Sequence, residues 1–284
     1  MARLLRSSAG IVCLALALSG CSVKFAYNNL DRLVRWQVSD YVNLNSEQRE
    51  VLKREFALVH QWHRRNHLPK YAELMDRLAV QLVDDPKPTV ISAAFLQVFD
   101  WADEIEAQAM PMVIEIMTSL TDEQIQALKP KLERSNKELA EDETSVDLAK
   151  AQLRFADEVA DTMKTFVGRL DRQQRDYIAL RAAEYRPQYV LWAAYRARFQ
   201  AELLAILEKR EDVEWFSGAY RKLIAERESY YGEALTAAFD HNEQLGLEIA
   251  TYLFNNLSEK QAGHLVERLT GLAEDFTELS LQEV

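Results

Sequence analysis

The chain has 284 residues, with 34 Lys plus Arg against 45 Asp plus Glu, a formal net charge of −11 at pH 7. That balance excludes nucleic acid, or an anionic lipid surface, as its main electrostatic partner. Hydrophobic residues make up 48% of the chain, enough at this length to bury a substantial core without disulfides.

The first twenty residues read as a leader and not as part of the fold. Arg3 and Arg6 form a short positive region, and "AGIVCLALALSG" is an apolar core too short to span a bilayer, as in a secretory signal. It ends in Leu18-Ser19-Gly20-Cys21, which resembles the bacterial lipobox. The resemblance implies cleavage between Gly20 and Cys21 and acyl chains on Cys21, and more than one chain gives stable anchoring. Ser22 stands where an aspartate usually retains such proteins at the inner membrane, so the implied destination is the periplasmic face of the outer membrane. Cys13 leaves with the leader, which rules out an intrachain disulfide. Loss of Arg3 and Arg6 leaves 32 basic against 45 acidic residues, a balance of −13. The expected organisation is 1–20 signal, 21–43 lipidated N-terminus and first helix, and 44–284 helical body.

Beyond the leader the pattern is all-α. Apolar residues recur at i, i+3, i+4 and i+7 in "FADEVADTMKTFVGRL", "FQAELLAILEKR" and "LGLEIATYLFNNL", with no alternating run and no Asn-Gly or Asp-Gly turn. A first helix is expected over 25–42, with Tyr27, Leu30, Val34, Val38 and Tyr41 on one face; following the lipid directly, that face could lie against the membrane, but the mixed order of its charges favours packing on the body. A second runs over 46–67, and Pro69 kinks or restarts it toward residue 83. "DDPKPT" is a break, after which Thr89 is expected to cap a long helix to about residue 117, bent near Pro111. Helices are expected over 122–141, 146–167, 172–209, 213–256 and 259–280, the two longest interrupted near Pro187 and Gly232. The acidic run "ELAEDETSVD" reads as a solvated connection.

One short pattern opens four of these helices: "LNSEQ" from Leu44, "LTDEQ" from Leu120, "LDRQQ" from Leu170 and "LSEKQ" from Leu257. In each, Asn45, Thr121, Asp171 or Ser258 is suited to cap the backbone N–H three residues on. Gln48, Gln124, Gln174 or Gln261 then reaches back to the cap's own N–H. Seven residues past the cap an apolar residue returns: Leu52, Leu128, Ile178 and Leu265. The spacing from the first to the third copy, and from the second to the fourth, is 126 and 137 residues (44 to 170, 120 to 257). "YAELMDRLAVQL" also returns as "QAELLAILEKRE" 129 residues on (72 to 201). These spacings suggest a tandem duplication of a helical unit, about 44–168 and 169–284.

Two family resemblances follow. "FAYNNLDRLVRWQVSDYVNLNSEQR" with "WHRRNHLPKY" resembles an uncharacterised family of proteobacterial lipoproteins, which implies location and class but no activity. "LTDEQ" in full, and the other copies in part, resemble the paired LTxxQ motifs of the Spy and CpxP periplasmic stress proteins, which would imply a chaperone or stress sensor. Those relatives are far shorter, and capping alone explains the motif.

Chemistry-bearing clusters are few. His60, His63 and His67 share a helical face at i, i+3 and i+7, a spacing that could ligate zinc, copper or nickel. Arg64 and Arg65 lie among them and disfavour a cation, and the repeat places Tyr189, Trp192 and Arg196 at those positions, so packing is the simpler reading. Trp62, His63, Arg64, Arg65, His67 and Tyr71 form a candidate binding patch with a taste for a carboxylate or phosphate. No nucleophile elbow, HExxH or phosphate-binding glycine loop is present. The expectation is a non-catalytic structural or interaction protein of the envelope, with no cofactor, a membrane partner through Cys21 and an envelope protein partner. A Spy-like chaperone is the alternative and a metal-binding module the third.

Overall fold

A computed structural model describes residues 20–144 and 147–282; the leader expected over 1–20 lies outside these residues apart from the backbone of Gly20. The side chains of residues 20–22 and 142–146, Cys21 included, are likewise outside the description. Among the described residues the chain is all-helical, with no strand.

The N-terminal segment forms two short helices, α1 (Gly20–Asn28) and α2 (Leu30–Tyr41), in place of the single one expected. Asn29, at φ −110° and ψ 16°, interrupts them, although the amides of Arg32 and Leu33 still bond its carbonyl. The body follows as α3 (Ser46–Asn66), α4 (Leu68–Asp84), α5 (Pro88–Thr118), α6 (Asp122–Thr144), α7 (Leu148–Val167), α8 (Arg172–Ala182), α9 (Tyr189–Leu207), α10 (Val213–Ala225), α11 (Glu233–Asn255) and α12 (Glu259–Leu281). A 3₁₀ turn over Arg227–Tyr230 joins α10 to α11.

Local chemistry explains most boundaries. Pro69 sits in the first turn of α4, where its missing N–H has no partner to lose, so the helix restarts at His67. Thr89 does not cap α5: Lys87 holds the cap position and Pro88 opens the helix, its fixed φ being ready-made for a first turn. Pro111 lies inside α5. Residues 183–188 separate α8 from α9, fastened by Asn242, which accepts from the Arg186 N–H and donates to the Arg186 carbonyl. Gly232, at φ +77°, lets the chain turn into α11 where a side chain would be strained.

The core lies in linked clusters. Leu44, Leu52, Met110, Ile114, Leu120, Ile125, Leu207 and Phe216 join α3, α5, α6, α9 and α10. Ala79, Leu82, Ile91, Val167, Leu170, Ile178, Leu245, Ile249, Leu253 and Leu265 join α4, α5, α7, α8, α11 and α12. The four apolar residues seven past the caps (Leu52, Leu128, Ile178 and Leu265) are all buried. Helix pairing crosses the chain: α12 packs along α4, and α6 packs along α9.

Candidate functional site

The four helix starts are capping boxes, as their sequence requires. Gln48, Gln174 and Gln261 amides bond Asn45 Oδ1 at 2.9 Å, Asp171 Oδ1 at 2.8 Å and Ser258 Oγ at 3.3 Å, and the Gln124 amide bonds Thr121 Oγ1 at 3.3 Å. Each glutamine Oε1 accepts the N–H of its own cap residue in return.

What the sequence does not display is that the glutamines pair. Gln48 Nε2 donates to Gln124 Oε1 (3.0 Å) and Gln124 Nε2 to Gln48 Oε1 (2.7 Å). The second hydrogen on each Nε2 goes to a carbonyl just before the opposite helix, Ser119 for Gln48 and Asn43 for Gln124. Gln174 and Gln261 repeat the arrangement, bonding one another and the carbonyls of Asn256 and Arg169. A primary amide offers two donors and two acceptor lone pairs, and in all four residues every one is engaged. Burial without such partners would be expensive, and Gln174 is 1% exposed. The arrangement recurs at the spacings of the motif (48 to 174, 124 to 261), and Arg49 and Arg175 bond the carbonyls of Leu44 and Leu170 at the same spacing.

The candidate patch resolves into a knot beneath the N-terminal helix. Trp62, His63, Arg64, His67 and Tyr71 come together, whereas Arg65 faces solvent. His63 is bracketed by two phenols, with Tyr27 Oη 2.9 Å from Nδ1 and Tyr71 Oη 3.1 Å from Nε2. A neutral imidazole carries one N–H and one lone pair, so it can donate to one tyrosine and accept from the other. Burial above all, helped by the neighbouring His67, His60 and Arg64, lowers the His63 pKa to about 3. His60 and His67 are also pushed down, each mainly by burial. His67 is fully buried and stacks on His63 at 5.3 Å; neither of its nitrogens has a hydrogen-bond partner among the described residues, and Glu104 Oε2 stands 3.5 Å from Nε2.

Arg64 is 4% exposed and fastens three elements at once. Its Nη1 donates to the Leu279 carbonyl (2.7 Å) and Gln282 Oε1 (3.3 Å), its Nη2 to Asn28 Oδ1 (2.9 Å), and its guanidinium lies 4.9 Å above the Tyr27 ring. The Leu279 carbonyl belongs to the last turn of α12, where the helix dipole favours a cation. Val23 and Tyr27 of α1 pack here against Leu68, Leu272 and Leu279, and Lys24 pairs with Asp275 and Glu278. The knot therefore binds the N-terminal helix to the C-terminal one. Histidine spacing marks its centre but not Tyr27, Asn28 and Gln282 as partners, because the chain separates Asn28 from Gln282 by 254 residues.

The geometry does not suit a metal at the histidines. Both nitrogens of His63 are engaged by phenols, and among the described residues no group of three or more His, Cys, Asp or Glu side chains could hold an ion. Among the described residues no helix is long and apolar enough to cross a membrane.

Comparison with known proteins adds one relationship. No curated protein matches the chain, and no solved structure does. Residues 40–235 match the model of a family of unknown function (DUF6279), a span that takes in the first three capping motifs and the histidines and Arg64 of the knot, and leaves out the fourth motif and the knot's partners Tyr27, Asn28, Leu279 and Gln282. The chain belongs to that family.

Proposed function

We propose that this is a non-catalytic envelope lipoprotein, held through acylated Cys21 at the periplasmic face of the outer membrane and acting as a structural or interaction protein. The sequence Leu18-Ser19-Gly20-Cys21, after a charged and apolar leader, carries the reading. The knot supports it: a helix that begins at the anchor and is bonded to the far end of the chain transmits the position of the membrane to the whole body. The paired capping boxes support a duplicated helical scaffold over about 44–168 and 169–284.

The motif glutamines are occupied in helix starts, so the likeness to Spy and CpxP rests on local structure. The chaperone alternative draws instead on the shallow apolar groove between α4 and α12, where Val80, Val83 and Val266 are exposed beside Ala79. Photo-crosslinking from that groove in intact cells separates the two: one dominant partner supports a dedicated adaptor, and a spread of unfolded exported chains supports the chaperone. Anchoring is tested by Cys21→Ala, which is expected to move the protein out of the outer-membrane fraction; retention there would refute the anchor.

A further inference from the structure

The N-terminal helices have two unlike faces. Val23 and Tyr27 are buried against the body, and Val38 and Val42 pack on its core. The outward side carries Phe25, Leu33 and Trp36, exposed by 71%, 42% and 63%. Across the interruption, the Asn29 N–H bonds the Phe25 and Ala26 carbonyls and the Arg32 and Leu33 N–H groups bond the Asn29 carbonyl. At 3.6 residues per turn, positions i, i+8 and i+11 fall within about 80° of one another, and Phe25 and Trp36 lie about 16 Å apart along the axis. Phe25, Leu33 and Trp36 belong to none of the core clusters of the described residues.

We propose that this face lies in the interfacial layer of the bilayer that holds Cys21, so that the protein is seated on the membrane and not merely tethered to it. The inference rests on the lipoprotein reading above. The chain is already helical at Cys21, one turn before Phe25, and no spacer lifts α1 away from the anchor. Helical rise alone keeps Trp36 within about 23 Å of Cys21. Trp and Phe partition to the zone between headgroups and acyl chains, where the exposed Arg32 and Asp40 on the same arc would meet headgroups. With a mature balance of −13, the contact is apolar and not electrostatic. Its role is orientation, because the acyl chains already supply the affinity. Seated this way, α1 would carry the orientation of the leaflet through Tyr27 and Asn28 to Arg64 and the body.

The test uses the full exported protein purified from membranes, with the acylation of Cys21 read by mass spectrometry on the same sample. It is placed in phosphatidylethanolamine–phosphatidylglycerol vesicles containing brominated lipid, and the loss of tryptophan emission is compared with that of Trp36→Phe. The expected result is quenching that falls at least twofold in Trp36→Phe and is insensitive to salt. Equal quenching in the two acylated proteins would overturn the seating while leaving the anchor standing. An unacylated Cys21 would remove the anchor and the proposal together. A photo-crosslinker at position 36 that captures a second copy, or another protein, in place of lipid would also overturn it.

Discussion

Gln174 shows how completely one side chain can be specified. Its Nε2 serves the Asn256 carbonyl and Gln261 Oε1, and its Oε1 serves the Asp171 amide and Gln261 Nε2. Gln174→Glu keeps size and shape but removes both donors and places a carboxylate against two acceptors. A loss of about 2–4 kcal/mol is expected from urea unfolding. Gln173→Glu, one residue away and exposed, is expected to change stability by about 0.5 kcal/mol or less. Equal losses at the two positions would mean that the pairing seen here does not matter. The histidine knot makes a second prediction at this scale. His63 is held near 3 in the fold against about 6.5 when unfolded, so the unfolded chain binds the extra proton across that interval. Stability is therefore fully present above about pH 6.5 and declines as pH falls, by up to about 1.4 kcal/mol per pH unit from this group. His60 and His67, lowered in the same direction, steepen the decline. Urea midpoints measured between pH 7.5 and 5, above most carboxylate titrations, are expected to fall, and His63→Asn to flatten the slope by about one proton. A flat profile in the wild type would contradict the neutral imidazole held between the two phenols.

At the scale of helices, much was legible in advance. The four starts were readable because a capping box is written in four consecutive residues, and the buried residue seven positions on follows from helical period. Thr89 gives way as a cap because its neighbour Pro88 is itself an excellent first-turn residue, a competition that periodicity does not rank. The first helix was divided at Asn29 by a local distortion that no apolar pattern records. Its inward face was identified through Tyr27 and Val38, while the outward one, with Phe25, Leu33 and Trp36, was passed over because a period names a face without counting what is left on the other. The glutamine pairs were beyond the reach of sequence for a different reason: each joins positions 76 or 87 residues apart, and capping already accounted for every glutamine.

Across the whole molecule the helices interlock. The first motif pairs with the second and the third with the fourth, yet α6, opened by the second, packs on α9, and α12, opened by the fourth, packs on α4. Each half of the chain thus completes the packing of the other. Cleavage engineered between α6 and α7 is expected to give two fragments that elute together in gel filtration, because the interface they share is core and not surface. Fragments that separate without denaturant would contradict the interlock. Arg64 clamps this body to the helix Gly20–Asn28, which includes Cys21, and the proposed acylation of that cysteine is the claim on which the functional reading turns. It is tested most directly by the mass of the N-terminal peptide of the protein isolated from its own envelope. The expected peptide begins at Cys21 and carries a diacylglyceryl group and a further acyl chain. A chain that still begins at Met1, or one cleaved elsewhere with an unmodified thiol at Cys21, would contradict it.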